Sequence, residues 1–545
     1  MSNKNFTSIL TLVFFILGLI GILRHEMWFD ELQAWLIARD SLSLVNLFKN
    51  VRYEGQPGLW HLCLYIISRF SRDPILMQFL HLGIATLAIY IFVNFSPFSK
   101  VQKVLFVFGY FPFYEYCLIS RGYGLGVMFI FLFCALFSAK KKSCLALLAT
   151  IAVLANTNII ALLVAVSLLA TLIFEQTRNI KKNVIVINKQ NIVAGIIACC
   201  FGLLAIYQIL PPPDRSYGQI DLSVNPIANK SHEFTGDFSS GVVFDIVADW
   251  SDKITEIFKL IWKSFVPVPN FMEYQFWGRN ILEEFPFALR LSAGLIAACL
   301  ILYLLILFSN YSTVFFLYSF GTSLLLVFVS IVPAASKVRH LGYLFILSVA
   351  CLWLLNNYLL SNPRDTRVSG LRLFARKHQT YFFNVILLLH VFAGMFSYIN
   401  DLIFPFTVSR KVASYIKDQQ LDKLTIVGSP DFPVASLSAY LDQRIYYPFS
   451  DRFGTYVIYD KARNEGVDSS LTLVERIEKV QRQHQKDVLL VLTQETRQNF
   501  LQEISSSNRK LPIERLTSFG KSIVFPESYY YLYLIKFPSL DGEKI

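Results

Sequence analysis

The chain has 545 residues, of which 54% are hydrophobic, 15% aromatic and only 16% charged, and its mean hydropathy is positive. This composition is typical of a polytopic membrane protein and argues against a soluble one, because a soluble core does not need so much apolar length. The net charge of +12 does not indicate a nucleic-acid partner, because Lys and Arg cluster in short loops between apolar segments. The eight Cys lie in or beside those segments, with no zinc or disulfide spacing.

Eleven apolar stretches are candidate membrane helices, several of them close to the roughly 20 residues that a bilayer requires. The first, residues 6–23, is predicted to be an uncleaved span, because no small-residue cleavage site follows it. The other ten are 75–95, 103–118, 124–139, 144–157, 158–174, 191–209, 286–308, 312–331, 341–358 and 381–404. The basic loops between them fall on one side, which the positive-inside rule makes cytoplasmic, and we predict a bacterial inner-membrane protein.

The same charge count decides two ambiguous segments. Residues 144–174 should cross the membrane twice as a short helical pair, because Asn156-Thr157-Asn158 interrupts them and basic loops lie at both ends. Residues 58–70 look long enough to span, but counting them would move Lys140-Lys141-Lys142 to the outside. We therefore predict a juxtamembrane or re-entrant helix there, within one large external loop over residues 24–73.

A second long external loop, residues 210–285, contains an amphipathic pattern. Apolar residues from Trp250 to Phe265 recur at helical spacing, with Lys and Glu on the other face. Such a helix either lies in the membrane interface or packs on the protein's own external surface, and the sequence leaves both interpretations open.

The composition becomes mixed and polar from about residue 406, which predicts a transmembrane domain over residues 1–405 and an α/β domain over residues 406–545. Predicted strands cover 424–428, 456–459, 488–493 and 529–535, and predicted helices cover 471–483 and 495–505. Because eleven crossings from a cytoplasmic N-terminus end outside, we predict that this C-terminal domain is external, which is the periplasmic side of a bacterial inner membrane.

Two adjacent carboxylates, Asp30 and Glu31, stand where the chain leaves the first span. A carboxylate at a membrane interface beside aromatic residues is partly desolvated, which raises its proton affinity and makes it a usable general base. The structural alternative is that Asp30 caps a helix beginning at Glu31. Both are candidate catalytic residues, with Asp30 as the base and Glu31 as its helix-start neighbour or support.

Several cations are predicted on the same external face, and Arg and Lys are suited to holding phosphate oxygens. The candidates for a donor phosphate are Arg121, Lys337, Arg339 and His340. Each alone could also be a snorkelling interface residue. Three further residues are assigned to the acceptor or to support, namely Glu54, Glu115 and Tyr123. Glu54 also fits a solvated turn, and His25 and His61 lack the spacing of metal ligands.

These residues resemble the motifs of the integral-membrane glycosyltransferases of the GT-C superfamily, in particular the protein O-mannosyltransferase-like branch that includes the lipid A aminoarabinose transferases. The match consists of the Asp30-Glu31 pair, the turn Glu54 to Trp60, the segment Ser120 to Leu125 and the segment Arg339 to Tyr343. The resemblance covers roughly residues 1–405. Two departures are Pro57-Gly58, where the family has paired prolines, and His340, where a Tyr would commonly follow the Arg.

The resemblance implies transfer of a sugar from a polyprenyl-phosphate carrier to a lipid, glycan or protein acceptor, with inversion at the anomeric carbon. Asp30 would deprotonate the acceptor hydroxyl, and the cations would stabilise the departing phosphate. No cofactor is expected, although the sequence leaves a divalent metal open. The alternatives are a transporter or flippase of lipid-linked saccharides and a noncatalytic envelope assembly protein. A transporter usually places ionisable groups inside the membrane, whereas these spans are nearly free of charge.

Overall fold

The structure is a computed structural model of the chain, and it describes residues 2–180, 189–215, 255–332, 336–361, 370–463, 473–493, 497–498, 500–501, 512–527 and 529–537. Helices dominate up to residue 403, and a six-stranded sheet with flanking helices follows. The predicted class, a polytopic helical membrane protein with a C-terminal α/β part, is confirmed. The domain boundary at residues 405 and 406 stays a prediction.

The helices of the first part are named in chain order. The first four are α1 (Asn3–Arg24), α2 (Phe29–Asp40), α3 (Leu44–Val51) and α4 (Leu59–Ile67). The next six are α5 (Ile75–Phe95), α6 (Lys100–Val107), α7 (Tyr123–Phe137), α8 (Cys144–Ala155), α9 (Ile159–Ile180) and α10 (Lys189–Ile209). After α11, which covers residues 255–265, come α12 (Phe287–Phe308), α13 (Ser312–Ile331), α14 (Val338–Ser361) and α15 (Leu371–Ile403).

Within the described residues, eight helices are long and apolar enough to cross a membrane, and α7 and α8 are shorter apolar helices. The predicted span 103–118 is not one helix. It consists of the end of α6 followed by a π-helix over Tyr110–Glu115. Gly109 and Pro112 explain the break, because glycine weakens a helix and proline supplies no backbone N–H to it.

Contacts at its two ends show how this broken segment lies relative to α1, which runs from one end of the helical bundle to the other. Lys100 lies over the ring of Phe6 at one end, whereas the backbone N–H of Ser120 reaches Glu31 at the other end. The segment 100–119 therefore runs the full length of the bundle despite its broken helix. Within the described residues, the predicted spans thus correspond to the eight long apolar helices, to the shorter α7 and α8, and to this broken segment.

The segment 24–73 folds into short helices, as the charge count required. Helix α4 has nine residues, about 14 Å of helix, which is too short to cross a bilayer. Helices α8 and α9 form the predicted pair, separated at Asn156-Thr157-Asn158. Asn158 begins α9, since its side-chain oxygen accepts from the backbone N–H of Ala161 at 2.9 Å.

Of the two interpretations of the amphipathic pattern, the structure places α11 against the protein itself. Ile261 and Phe265 are 3% and 2% exposed and belong to the core of the helical bundle. On the opposite face, Lys263 pairs with Glu283 at 2.8 Å. The beginning of the pattern, at Trp250 and Ile254, lies outside the described residues.

The C-terminal sheet has the strand order β3-β2-β1-β4-β6-β5. Its strands are β1 (Thr425–Ser429), β2 (Ile445–Tyr447), β3 (Arg452–Gly454), β4 (Val488–Thr493), β5 (Ile513–Gly520) and β6 (Tyr529–Ile535). Strand β1 is parallel to β2 and β4, and the remaining pairs are antiparallel. The accompanying helices are α16 (Ser409–Asp418), α17 (Asp431–Leu441) and α18 (Leu473–His484). The predicted helix 495–505 lies largely outside the described residues.

The predicted strand 456–459 is wrong, because this extended segment joins no neighbouring strand. Its backbone instead forms hydrogen bonds with the side chain of a residue in α2. Gln33 donates to the carbonyl of Val457 at 2.7 Å and accepts from the Val457 N–H at 3.0 Å. This apolar segment of the C-terminal unit thus contacts α2 and does not extend the sheet.

The C-terminal sheet unit packs directly on α2. Phe29 shares an apolar cluster with Val412, Val434 and Leu532, and Ala439 of α17 joins the cluster around Leu36. Segment 24–73 and the sheet unit therefore lie at the same end of the bundle.

Candidate active site

The first turn of α2 is held at its backbone by two buried carboxylates. Glu31 accepts from the N–H of Trp28 at 3.1 Å, and Glu527 of the C-terminal unit accepts from the N–H of Phe29 at 2.5 Å. These bonds satisfy two of the N–H groups that a helix start leaves unpaired. The helix begins at Phe29 and not at Glu31, and the Asp30 carboxylate points to two arginines.

Asp30 lies between Arg339 and Arg121. Its Oδ2 accepts from an Nη of Arg339 at 2.9 Å and lies 3.8 Å from Nη1 of Arg121. Arg121 also donates to the backbone carbonyl of Asp30. The side chain of Asp30 is 24% exposed, and those of the two arginines 16% and 14%. Two cations face one carboxylate, so this group of three has a net charge of +1 and attracts an anion.

Arg339 is held by two aromatic rings. Its guanidinium carbon lies 5.2 Å from the ring centroid of Trp28 and 5.7 Å from that of Trp277, distances typical of cation–π contacts. Its Nε is buried and has no hydrogen-bond partner among the described residues. A fixed guanidinium with an unused donor is suited to a ligand oxygen.

Glu31 is fully buried and belongs to a different network. Besides Trp28, it accepts from the N–H of Ser120 at 2.5 Å and contacts Nε2 of His25 at 3.2 Å. The other ring nitrogen of His25 lies 2.7 Å from Asp401. Burial alone would lower the pKa of His25, but the carboxylates of Asp401 and Glu31 outweigh it and raise the pKa to about 10. Glu31 therefore joins α1, α2, the segment before Arg121 and α15.

Glu54 lies near Asp30 on the side of Arg121. It accepts from Nε2 of Gln33 at 2.9 Å. Burial raises the pKa of Glu54, and Gln33 and Arg121 only partly offset this effect. A narrow cavity beside it is lined by Glu54, His61 and Arg121. Burial and Arg121 lower the pKa of His61 to about 3, so His61 is neutral there.

The remaining predicted phosphate ligands do not converge on Asp30. Nε2 of His340 lies 2.7 Å from the hydroxyl of Tyr123, and both side chains are buried. Lys337 is exposed and directly precedes the first residue of α14, and among the described residues it forms no ion pair. Of the predicted group of four, Arg121 and Arg339 lie beside Asp30, and His340 binds Tyr123, which in turn interacts with Arg121. Lys337 has no ion pair among the described residues.

Glu115 contacts the site indirectly, through the ring of Trp277. It ends the π-helix, where it accepts from Tyr110 at 3.0 Å and from Nε1 of Trp277 at 3.2 Å. Trp277 packs on the guanidinium of Arg339. By accepting from Trp277, Glu115 therefore helps to position Arg339. The backbone carbonyl of Arg339 accepts from Tyr116 at 2.7 Å, which anchors the same residue a second time.

Sequence reasoning missed four residues that build this site: Trp277, Glu527, Asp401 and Gln33. Glu527 and Asp401 are 498 and 376 residues away from their partners, so no local pattern indicates them. The one usable signal was an acidic residue at the end of an otherwise apolar span, Asp401. The roles of all site residues stay predictions.

No group of three or more His, Cys, Asp or Glu that could hold a metal ion occurs within the described ranges. The divalent metal that the sequence left open stays untested.

Neither a protein-family model nor a curated protein matches the chain. Two solved structures are similar to it, both of ArnT from Cupriavidus metallidurans. The apo structure has a TM-score of 0.46 and 11% sequence identity, covering 98% of each chain. The structure bound to undecaprenyl phosphate has a TM-score of 0.44 and 10% identity, covering 100% of each chain. With identities near 10% and TM-scores below 0.5, neither similarity assigns the chain to a family. Residue roles do not follow from similarity at this level and rest on the geometry alone.

Proposed function

We propose that this membrane protein is a glycosyltransferase that moves a sugar from a polyprenyl-phosphate-linked donor to an acceptor hydroxyl. The observation that carries the proposal is the Asp30 carboxylate, partly exposed and 2.9 Å from Arg339 and 3.8 Å from Arg121. A base beside two cations is what displacement of a phosphate by a hydroxyl requires.

In the proposed reaction, Asp30 takes the proton of the acceptor hydroxyl. The acceptor oxygen forms a bond to the anomeric carbon, and the bond from that carbon to the phosphate oxygen breaks. Its electron pair leaves with the polyprenyl phosphate, whose charge Arg339 and Arg121 stabilise. A single displacement with one base inverts the anomeric carbon. The identity of the acceptor, a lipid, glycan or protein, is left open by this chemistry.

The unpaired Nε of Arg339 supports the phosphate assignment. Arg339 carries five N–H donors, and one of them engages Asp30, which leaves donors for phosphate oxygens. We propose Arg339 and Arg121 as the principal phosphate ligands, and exposed Lys337 as a cation that contacts the same phosphate at longer range. His340 would act through Tyr123, by fixing the start of α7.

We propose Glu54 as a second carboxylate near the acceptor, since it lies on the other side of Arg121 and is held by Gln33. No cofactor is required by this scheme. A divalent-metal requirement would show in the same assay as loss of transfer on chelation.

The assay measures sugar transfer from a polyprenyl-phosphate donor in membranes containing wild type or Asp30→Asn. The proposal expects donor consumption by wild type and consumption that is slower by about 10²–10⁴-fold in the variant, with Asp418→Asn on exposed α16 as the matched control. Movement of labelled lipid-linked sugar across vesicles without consumption would indicate a flippase instead. An unchanged transfer rate in Asp30→Asn would contradict the assignment of the base.

We further propose that the C-terminal unit lies outside a bacterial inner membrane, with α2 and the site. A Glu514→Cys variant places a thiol on exposed β5. A membrane-impermeant reagent should label it from outside intact cells, and labelling only after the membrane is opened would overturn this orientation.

A further inference from the structure

A second, open cavity of about 550 Å³ lies at the far end of α2, between segment 24–73 and the C-terminal unit. Its size is typical of a small-ligand site, roughly 300–1,000 Å³. Five arginines line it, namely Arg39, Arg69, Arg72, Arg444 and Arg452. The mechanism proposed above uses none of them.

These arginines outnumber the carboxylates that they contact. Asp40 and Asp442 line the cavity and together bind Arg39 and Arg72. Arg452 is bound by Asp460. Five arginines against three carboxylates leave a net charge of +2.

The two arginines without a carboxylate are Arg69 and Arg444. Arg69 donates to the backbone carbonyls of Ala38 and Arg39 at 3.0 and 2.6 Å, which leave its charge unneutralised. Arg444 is exposed, and no carboxylate of the described residues lies within ion-pair distance of it. The cavity therefore has two uncompensated guanidinium groups, which match phosphate oxygens.

Exposed apolar side chains lie in or close along the chain to the segments that form this arginine cavity. Leu42, which lines the cavity, is 92% exposed, Val45 is 81% exposed and Phe70 is 82% exposed. Arg72 lies three residues before the membrane-crossing helix α5. Exposed apolar side chains beside arginines at the start of a span are typical of the level where lipid headgroups lie.

We propose that the arginine cavity binds the phosphate headgroup of an anionic membrane lipid. Arg444, Arg69 and Arg72 would hold the phosphate, and the acyl chains would contact Leu42, Val45 and Phe70. The cavity is distinct from the donor site, because Asp30 and Asp40 lie ten residues apart on α2, about 15 Å of helix. Lipid binding here does not depend on the transferase proposal.

The test measures binding of phosphatidylglycerol, with phosphatidylcholine as a neutral lipid and inorganic phosphate as a free anion, to the purified full-length protein. Native mass spectrometry counts the retained lipids, and titration gives the affinity. Arg444→Gln should weaken phosphatidylglycerol binding about tenfold, and Arg444→Lys should restore part of it. Phe70→Ser should weaken lipid binding without changing binding of inorganic phosphate.

Arg482→Gln, on an exposed face of α18, is the matched control and should bind phosphatidylglycerol like wild type. Because Arg444 is exposed, its replacement should leave the thermal unfolding midpoint unchanged, so a lost affinity reports the site and not the fold. Equal binding of phosphatidylglycerol and phosphatidylcholine, or equal affinity of wild type and Arg444→Gln, would overturn the proposal. Tighter binding of free phosphate than of the lipid would assign the cavity to a soluble anion and equally overturn it.

Discussion

Asp30 and Glu31 are neighbours in sequence, but they lie in different environments. Asp30 is 24% exposed and faces the side chains of two arginines. Glu31 is fully buried and faces backbone N–H groups and His25. Successive residues of a helix point about 100° apart, because an α-helix has 3.6 residues per turn. The same chemical group is therefore available to a substrate at one position and used for the fold at the next.

The comparison shows that burial and the type of partner separate the two roles. A carboxylate that satisfies backbone N–H groups cannot leave them without leaving buried donors unpaired. A carboxylate paired with arginine side chains can exchange partners, because guanidinium groups have donors to spare. Of the two predicted catalytic carboxylates, only Asp30 has the geometry of a group that meets a substrate.

The largest effect is expected for Asp30→Asn, which removes the base and keeps the shape. Transfer should fall by about 10²–10⁴-fold, the usual contribution of a positioned general base. The thermal unfolding midpoint should change little, because the side chain is partly exposed. If the transfer rate fell only in proportion to the amount of folded protein, Asp30 would instead have a structural role like that of Glu31.

A smaller loss of transfer is expected for Arg339→Gln, about 10²-fold, since it removes one charged donor to the leaving phosphate. Arg339→Lys should recover part of the rate, because it keeps the charge and loses the planar fork. Steady-state kinetics with varied donor concentration measure both variants. Equal rates for wild type and Arg339→Gln would exclude phosphate stabilisation by this residue.

For Glu31→Gln the expected change is mainly in stability. The amide keeps one acceptor oxygen but loses charge-assisted bonds to buried N–H groups, which should lower the free energy of unfolding by about 1–3 kcal/mol. Thermal unfolding in detergent measures it. Transfer per folded molecule should fall less than tenfold, and a loss as large as that of Asp30→Asn would erase the distinction between the two carboxylates.

A last effect concerns pH and leaves the transfer rate aside. The pKa of His25 in the folded protein, about 10, lies above its ordinary value of 6.5. Its ion pairs with Asp401 and Glu31 therefore stabilise the fold fully below pH 6.5, and this stabilisation is lost as the pH rises through about 10. Unfolding midpoints between pH 6.5 and 10 should fall more steeply in wild type than in His25→Asn. The exposed His484→Asn variant should keep the wild-type slope.

Part of the fold could be predicted from the sequence. Hydrophobic length predicted where the apolar helices lie, because a bilayer demands a minimum apolar length whatever the tertiary structure. The pairing of α8 with α9 and the short α4 followed from the loop charges. Strands β4 and β6 were also visible, since their apolar runs are continuous. Strands β2 and β3 were missed because three residues each are too short to show a period.

The candidate site was only partly visible. Asp30, Arg121 and Arg339 were recognised as residue types in predicted external loops, and the charge pattern alone put them on one face. Their meeting within 4 Å, and the pairing of His340 with Tyr123 in place of Asp30, are properties of packing. Trp277 and Glu527 come to the site from segments that are distant in the sequence. The spacing of residues within one segment cannot predict such contacts.

The sequence by itself determined the membrane class, the order of passes and the two neighbouring carboxylates, because these depend on composition and spacing along the chain. Tertiary structure alone decided which carboxylate is partly exposed and paired with arginine side chains. Asp30 and Glu31 differ by the neighbours that other segments bring to them, Arg121 and Arg339 to one, His25 and Ser120 to the other. The burial and the contacts of each carboxylate depend on residues that are distant in the sequence. They cannot be predicted from two adjacent acidic residues alone.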